Sequence, residues 1–116
     1  MEDCIFCKLA NHEIPTDIVY ENELVTAFRD ANPQAPVHVL LVPKKHYRDV
    51  LDLNASGEAG PVMAAILDAA RGVAAAEGLS EKGFRLLNNC GKDAGQTVMH
   101  LHVHLLGGRP LSDKLI

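Results

Sequence analysis

Three histidines alternate with apolar residues in His100-Leu101-His102-Val103-His104-Leu105-Leu106, half of the six histidines in the chain. In an extended strand successive side chains point to opposite faces, so the imidazoles share one face while Leu101, Val103 and Leu105 share the other. A helical reading would scatter the rings around the cylinder and leave no apolar stripe. Same-face imidazoles stand about 7 Å apart at the backbone, and tilted rings can converge. Two chemistries fit. Neighbouring histidines can chelate a transition metal with an open position for hydrolysis. Alternatively one imidazole attacks phosphorus while its neighbours and backbone donors hold the phosphoryl oxygens. Spacing alone leaves both open.

Cys4 and Cys7 form a second constellation, since two thiols three apart in one helical turn can grip one ion. Three cysteines are an odd number, and a Cys-x-x-Cys spacing in a reducing compartment reads as a metal or redox pair, not a disulfide framework. Cys90 remains as a packed or loop thiol.

The elements that must position these groups follow from pattern. Residues 4–10 suit a short N-terminal helix, broken at Pro15. Residues 18–20 and 24–28 read as a hairpin across Glu21-Asn22-Glu23. A loop with Pro33 and Pro36 leads to a strand at 37–42, whose near-continuous apolar character predicts burial on both faces. There His38 needs a polar partner. After Lys44-Lys45-His46 come polar turns at 52–57. From Pro61, apolar positions Val62, Ile66, Ala69 and Val73 trace one long amphipathic helix stopped by Gly78. A fourth strand at 84–89 and a polar loop at 90–97, with backbone donors able to approach an oxyanion, deliver the chain to the histidine strand. The sum is an α+β domain: about five antiparallel strands, one long helix and a short N-terminal helix. Exposed sheet edges, paired across a two-fold, would make a homodimer.

At 116 residues and a formal charge of −4, the chain is expected to be a single domain over residues 1–116 with no footprint for a nucleic-acid polymer. It carries no signal-peptide pattern and no apolar run read as spanning a bilayer, so a soluble, cytoplasmic protein without membrane contact is expected.

The histidine segment matches the His-x-His-x-His-x-x signature, with apolar x, of the histidine triad (HIT) family, and the chain resembles its nucleotide-binding Hint branch. Glu13-Ile14-Pro15, Phe28-Arg29-Asp30, Pro33-Gln34-Ala35-Pro36-Val37-His38, Val42-Pro43-Lys44-Lys45-His46, Asn89, Gly95-Gln96-Thr97 and Leu106-Gly107-Gly108-Arg109 fall in the order this family has, so the likeness covers nearly the whole chain.

This resemblance implies catalytic roles for His102, His104, His38 and His100. His102 would attack the α-phosphorus of a purine nucleotide derivative and form a nucleotidyl-histidine, its tautomer held by the His100 carbonyl. His104 and His38 would flank the phosphate and the leaving group. Asn89, Gly95, Gln96 and Thr97 would lie on the phosphate side, with Thr97 where a Ser is familiar. Asp30 would bind ribose, and Phe6, Leu9, Phe28 and Ala31 would line the base slot, with Ala31 where a larger aliphatic is usual. Bacterial members imply a structural zinc on Cys4, Cys7, His46 and His100, and no cofactor for the chemistry itself. The implied activity is that of a purine nucleoside phosphoramidase. The alternatives are a dinucleoside polyphosphate hydrolase of the Fhit type, a nucleotide-binding regulator with incidental catalysis, and a metallohydrolase using all three triad histidines. The tail after Arg109 is short and lacks the aromatic residue of longer members.

Overall fold

The computed structural model describes residues 3–115; Met1, Glu2 and Ile116, the ends of the expected domain, lie outside the described residues. The elements run α1 (Ile5–Ala10), β1 (Ile18–Glu21), β2 (Val25–Arg29), β3 (Val37–Pro43), α2 (Val50–Ser56), α3 (Ala59–Ala76), β4 (Arg85–Leu87) and β5 (Val103–Gly107). The five strands form one antiparallel sheet in the order β1-β2-β3-β5-β4, so the last strand inserts between β3 and the edge strand β4. The α+β expectation is met.

The period of two sorts the strands by face. Val25 and Ala27 of β2, Val39 and Leu41 of β3, and Val103 and Leu105 of β5 are buried together beneath Val62, Ile66, Ala69, Ala70, Val73 and Ala74 of α3. Alanines on that helix face allow close approach to the sheet, and Gly78 at φ +71° lies just beyond its end. The helix has 18 residues and is apolar enough to cross a membrane by length and composition, which the sequence reading did not credit. Its apolar character comes largely from alanine, and one face is spent on the sheet.

The opposite face of the sheet carries α1. Phe6 and Ala10 pack on Phe28, Leu40 and Val42, the alternate positions of β2 and β3. Two polar clamps hold this short helix. The Thr26 hydroxyl, fully buried, donates to the Ala10 carbonyl at 2.8 Å. Asn11 Nδ2 donates to the Cys7 and Lys44 carbonyls, each at 2.8 Å. Cys7 is thereby fixed beside the end of β3.

Two expectations need correction. Helix α2 occupies most of the stretch read as turns at 52–57. Asp49 caps it by accepting from the Asp52 N–H at 2.9 Å, Asp52 accepts in return from the Arg48 N–H at 2.8 Å, and Gly57 at φ +81° ends it. With Leu53 its one buried residue, no apolar period announces it. The histidine segment is regular strand only from Val103, because β3 pairs β5 from Leu41↔Val103 to Val37↔Gly107. His100, Leu101 and His102 form its lead-in, where the Leu101 N–H donates to the Tyr47 carbonyl at 2.7 Å. The alternation survives: Leu101 is buried among the α3-side residues and His102 against Phe6 on the other face.

Candidate active site and metal centre

The sheet face opposite α3 carries the chemistry. His102 is buried, its ring edge-on to Phe6 at 4.9 Å between centroids. Its Nδ1–H donates to the His100 carbonyl at 2.8 Å, so in the neutral ring the lone pair is on Nε2. The His102 carbonyl is itself held by Asn88 Nδ2 at 2.9 Å. That imidazole is therefore oriented at both its ring and its backbone.

His104 lies next to it, ring centroids 5.1 Å apart, and its Nδ1 is 2.9 Å from Nε2 of His38. Burial, with His102 and His38 beside it, pushes the His104 pKa down to about 4. Burial also lowers that of His38, against the opposing pull of Asp30. Both rings are neutral near pH 7.

His102 and His104 line a cavity of about 380 Å³ with Phe6, Leu9, Phe28, Asp30, Ala31 and Thr97. This brings together eight of the residues named from sequence; His38 and His100 are not among the lining residues. Thr16, Arg29, Leu40 and Val98 line it as well and were missed. The parity of Leu40 on its strand places it on this face; Thr16 lies in an irregular segment with no such signal. Asn89 and Gly95 are not among the lining residues, and Gly95 ends the short turn Lys92–Ala94 at φ +81°. Gln96 departs from its expected place. Its side chain turns inward, with Oε1 accepting from the Gly91 N–H at 2.8 Å and Nε2 donating to the carbonyls of Arg48 at 2.8 Å and Val98 at 3.0 Å. A hydrogen-bonding side chain in a glycine-containing loop serves the loop here.

Cys4, Cys7, His46 and His100 place one donor atom each within 4.8 Å of one another. Cys4 Sγ lies 3.2 Å from His100 Nδ1, and Cys7 Sγ lies 3.4 Å from Nδ1 of both His46 and His100. His100 Nε2–H donates to the Pro43 carbonyl at 2.8 Å, which turns the Nδ1 lone pair towards the thiols, the usual outer support of a metal-binding histidine. Burial and the neighbouring Cys4 thiol raise the Cys7 pKa to about 11, so the Cys7 thiol resists ionising unless a cation supplies the charge. Two soft thiols, two imidazoles and no carboxylate fit a closed tetrahedral zinc site. A larger hollow of about 890 Å³ opens beside it, lined by Cys4, His46, Arg48, Asp52 and Met99.

Asp30, His38 and His104 form a second close cluster, but it is not a cation site. The Gln34 N–H donates to His38 Nδ1 at 3.0 Å, so the proton of neutral His38 sits on Nε2, the atom that would have to bind the ion.

Comparison with known proteins identifies the family. The HIT domain model matches residues 11–111. The chain is 46% identical over 114 residues to the purine nucleoside phosphoramidase of Escherichia coli K12, covering 98% of this chain and 94% of that one. It is 46% identical over 112 residues to a 14 kDa zinc-binding protein of Brassica juncea, covering 95% and 96% respectively. Among solved structures, a HIT family hydrolase from Clostridium thermocellum superposes with a TM-score of 0.92 at 48% identity, covering 100% of this chain and 99% of that chain. With a five-stranded antiparallel sheet that carries the histidine segment, and the family model matched over most of its length, the chain belongs to the HIT family.

Proposed function

We propose that this protein is a nucleotide hydrolase acting at the α-phosphate of purine nucleoside phosphoramidates and related nucleotide derivatives. The observation that carries this reading is the His102 ring: its Nδ1–H is spent on the His100 carbonyl and its other nitrogen is free, on a residue lining a cavity that also holds Asp30 and three apolar side chains of α1 and β2. Nε2 attacks phosphorus and forms a nucleotidyl-histidine. The phosphorus–nitrogen bond breaks and the amine leaves, taking a proton from solvent. Water then attacks, the phosphorus–histidine bond breaks, and the nucleoside monophosphate departs.

His104 hydrogen-bonds the phosphoryl oxygens, and the Thr97 hydroxyl and the loop holding Asn89 and Gly95 serve the same charge. Asp30 accepts from the ribose hydroxyls, while Phe6, Leu9, Phe28 and Ala31 sandwich the base. Zinc on Cys4, Cys7, His46 and His100 would be structural, tying α1, the end of β3 and the triad segment together; no step passes through it. The open edge at β4, with Phe84 and Leu86 exposed beside it, supports a homodimer with a continuous sheet. A cytoplasmic location suits its thiols and nucleotide substrate.

A side-by-side assay of adenosine phosphoramidate and diadenosine polyphosphate tests the substrate class. Faster turnover of the second would replace this reading with the Fhit type. His102→Ala should lower turnover by at least about 10³-fold while AMP binding persists. Wild-type protein that binds AMP and turns over neither substrate would make it a binding protein instead.

A further inference from the structure

The contact that the proposed chemistry leaves unused is the Gln34 N–H on His38. We propose that this backbone amide is a positioning group: it locks the tautomers of His38 and His104 so that His104 offers the cavity a hydrogen-bond donor beside the acceptor nitrogen of His102. The proposal rests on the nucleotide-hydrolase reading for its purpose, though not for its geometry.

A backbone N–H can only donate. At 3.0 Å from His38 Nδ1 it requires a lone pair on that nitrogen, so neutral His38 carries its proton on Nε2. That proton faces His104 Nδ1 at 2.9 Å and Asp30 Oδ2 at 3.5 Å, and the shorter contact takes it. His104 Nδ1 is then an acceptor, and the proton of neutral His104 sits on Nε2, its remaining polar atom. The pKa of His104, pushed down to about 4, agrees with a ring that stays neutral. His102 has the opposite pattern, Nδ1–H donating to the His100 carbonyl and Nε2 accepting. Two adjacent rings of one cavity thus present one lone pair for phosphorus and one N–H for a phosphoryl oxygen.

The reverse arrangement is blocked. A proton on His104 Nδ1 would need a lone pair on His38 Nε2, hence a proton on His38 Nδ1, which would meet the Gln34 N–H donor to donor. The pair therefore acts as a lock and cannot pass a proton through His38. The loop is built to hold this amide still. Pro33 and Pro36 stiffen it, the Asp30 N–H donates to the His38 carbonyl at 2.9 Å, and Asp30 Oδ1 accepts from the Asn32 N–H at 2.8 Å. His38 itself is buried.

Long-range ¹H–¹⁵N NMR on histidine-labelled wild-type protein reads the tautomers directly. His38 and His104 are expected as Nε2–H and His102 as Nδ1–H; His38 as Nδ1–H, or as a mixture, overturns the proposal. Gln34→Pro removes the amide hydrogen, and Gln34→Ala keeps it. Gln34→Ala should match wild type in tautomers and turnover. Gln34→Pro also sets a ring Cδ where the hydrogen pointed, on the line to His38 Nδ1, so the His38 ring must move; it should mix the His38 tautomers and lower kcat by at least about tenfold. Unchanged kcat in a folded Gln34→Pro protein overturns the positioning role. If that variant does not fold, the wild-type tautomers decide. If wild type shows no turnover of either substrate, the function fails while the tautomer measurement still judges the lock.

Discussion

Replacing Gln96 with alanine separates a residue that touches substrate from one that holds the loop. Gln96 is 7% exposed and its side chain makes three hydrogen bonds to main chain, tying Gly91, Arg48 and Val98 together. Each is worth roughly 0.5–1.5 kcal/mol net, and the truncation strands one N–H and two carbonyls. Water can reach part of the vacated space because Arg48 is exposed and Gly91 half-buried, so about 2 kcal/mol of stability should go, not the full sum. Thr97 and Val98, next in the chain, line the cavity that His102 and His104 share and would loosen with it. The His102 ring and backbone would keep their own bonds to the His100 carbonyl and Asn88. Urea unfolding together with steady-state kinetics on adenosine phosphoramidate should therefore show lower stability, KM raised several-fold and kcat little changed. Gln96→Glu should fare no better, since a second carboxylate oxygen would face the two carbonyls. A Gln96→Ala protein of wild-type stability but depressed kcat would refute the argument and return Gln96 to the substrate.

Gly72→Ala would place a Cβ 2.3–2.7 Å from the Tyr20 ring, forcing the ring aside and breaking its 2.9 Å hydrogen bond to Asp68; a loss of about 1–3 kcal/mol in thermal melts, with turnover per folded molecule unchanged, is expected. With a folded pKa near 4 against the ordinary value of 6.5, His104 stays neutral in the native state while the unfolded chain takes up the proton. Its contribution to stability is complete above about pH 6.5 and is lost as pH falls towards 4, with His38 acting in the same direction. Melting temperature measured against pH should fall through that window, and His104→Gln should flatten the slope. Metal analysis should find one zinc per chain; a strong chelator, or Cys4→Ser, should lower the melting temperature by roughly 10 °C or more, and an unchanged melt after verified metal removal would exclude a structural role.

Which features could be read from sequence follows from where the information is local. The period of two placed Leu101, Val103 and Leu105 in the core and the histidines on the other face, because burial parity persists where strand pairing has not begun. The α3 stripe was legible for the same reason, its buried residues recurring at Val62, Ile66, Ala69 and Val73. Helix α2 was not, since it rests on reciprocal capping by Asp49 and Asp52 and buries only Leu53. The inward turn of Gln96 depends on Arg48, 48 positions away, and the orientation of His38 depends on one main-chain N–H. No residue identity encodes either contact. Family likeness supplied Cys4, Cys7, His46 and His100 as a set, whereas spacing alone had supplied only the thiol pair.

The geometry also weighs against one of the two chemistries that triad spacing left open, a single ion shared by all three histidines. For three same-face histidines to share one ion, their free nitrogens would have to converge. Each Nδ1 instead has its own partner: His100 faces the Cys4 and Cys7 thiols, His102 the His100 carbonyl, and His104 the His38 ring. The Nε2 of His100 is spent on Pro43, so it cannot join the cavity that His102 and His104 line. His100 belongs to both halves by different atoms, its ring in the cysteine cluster and its carbonyl orienting the His102 imidazole. Displacing that ring would shift the carbonyl two bonds from its Cα, and with it the imidazole that depends on it. Any loss of turnover on demetallation should therefore track the orientation of His102, and a thiophilic metal that rebuilds the closed tetrahedron, such as cadmium, should restore it as well as zinc.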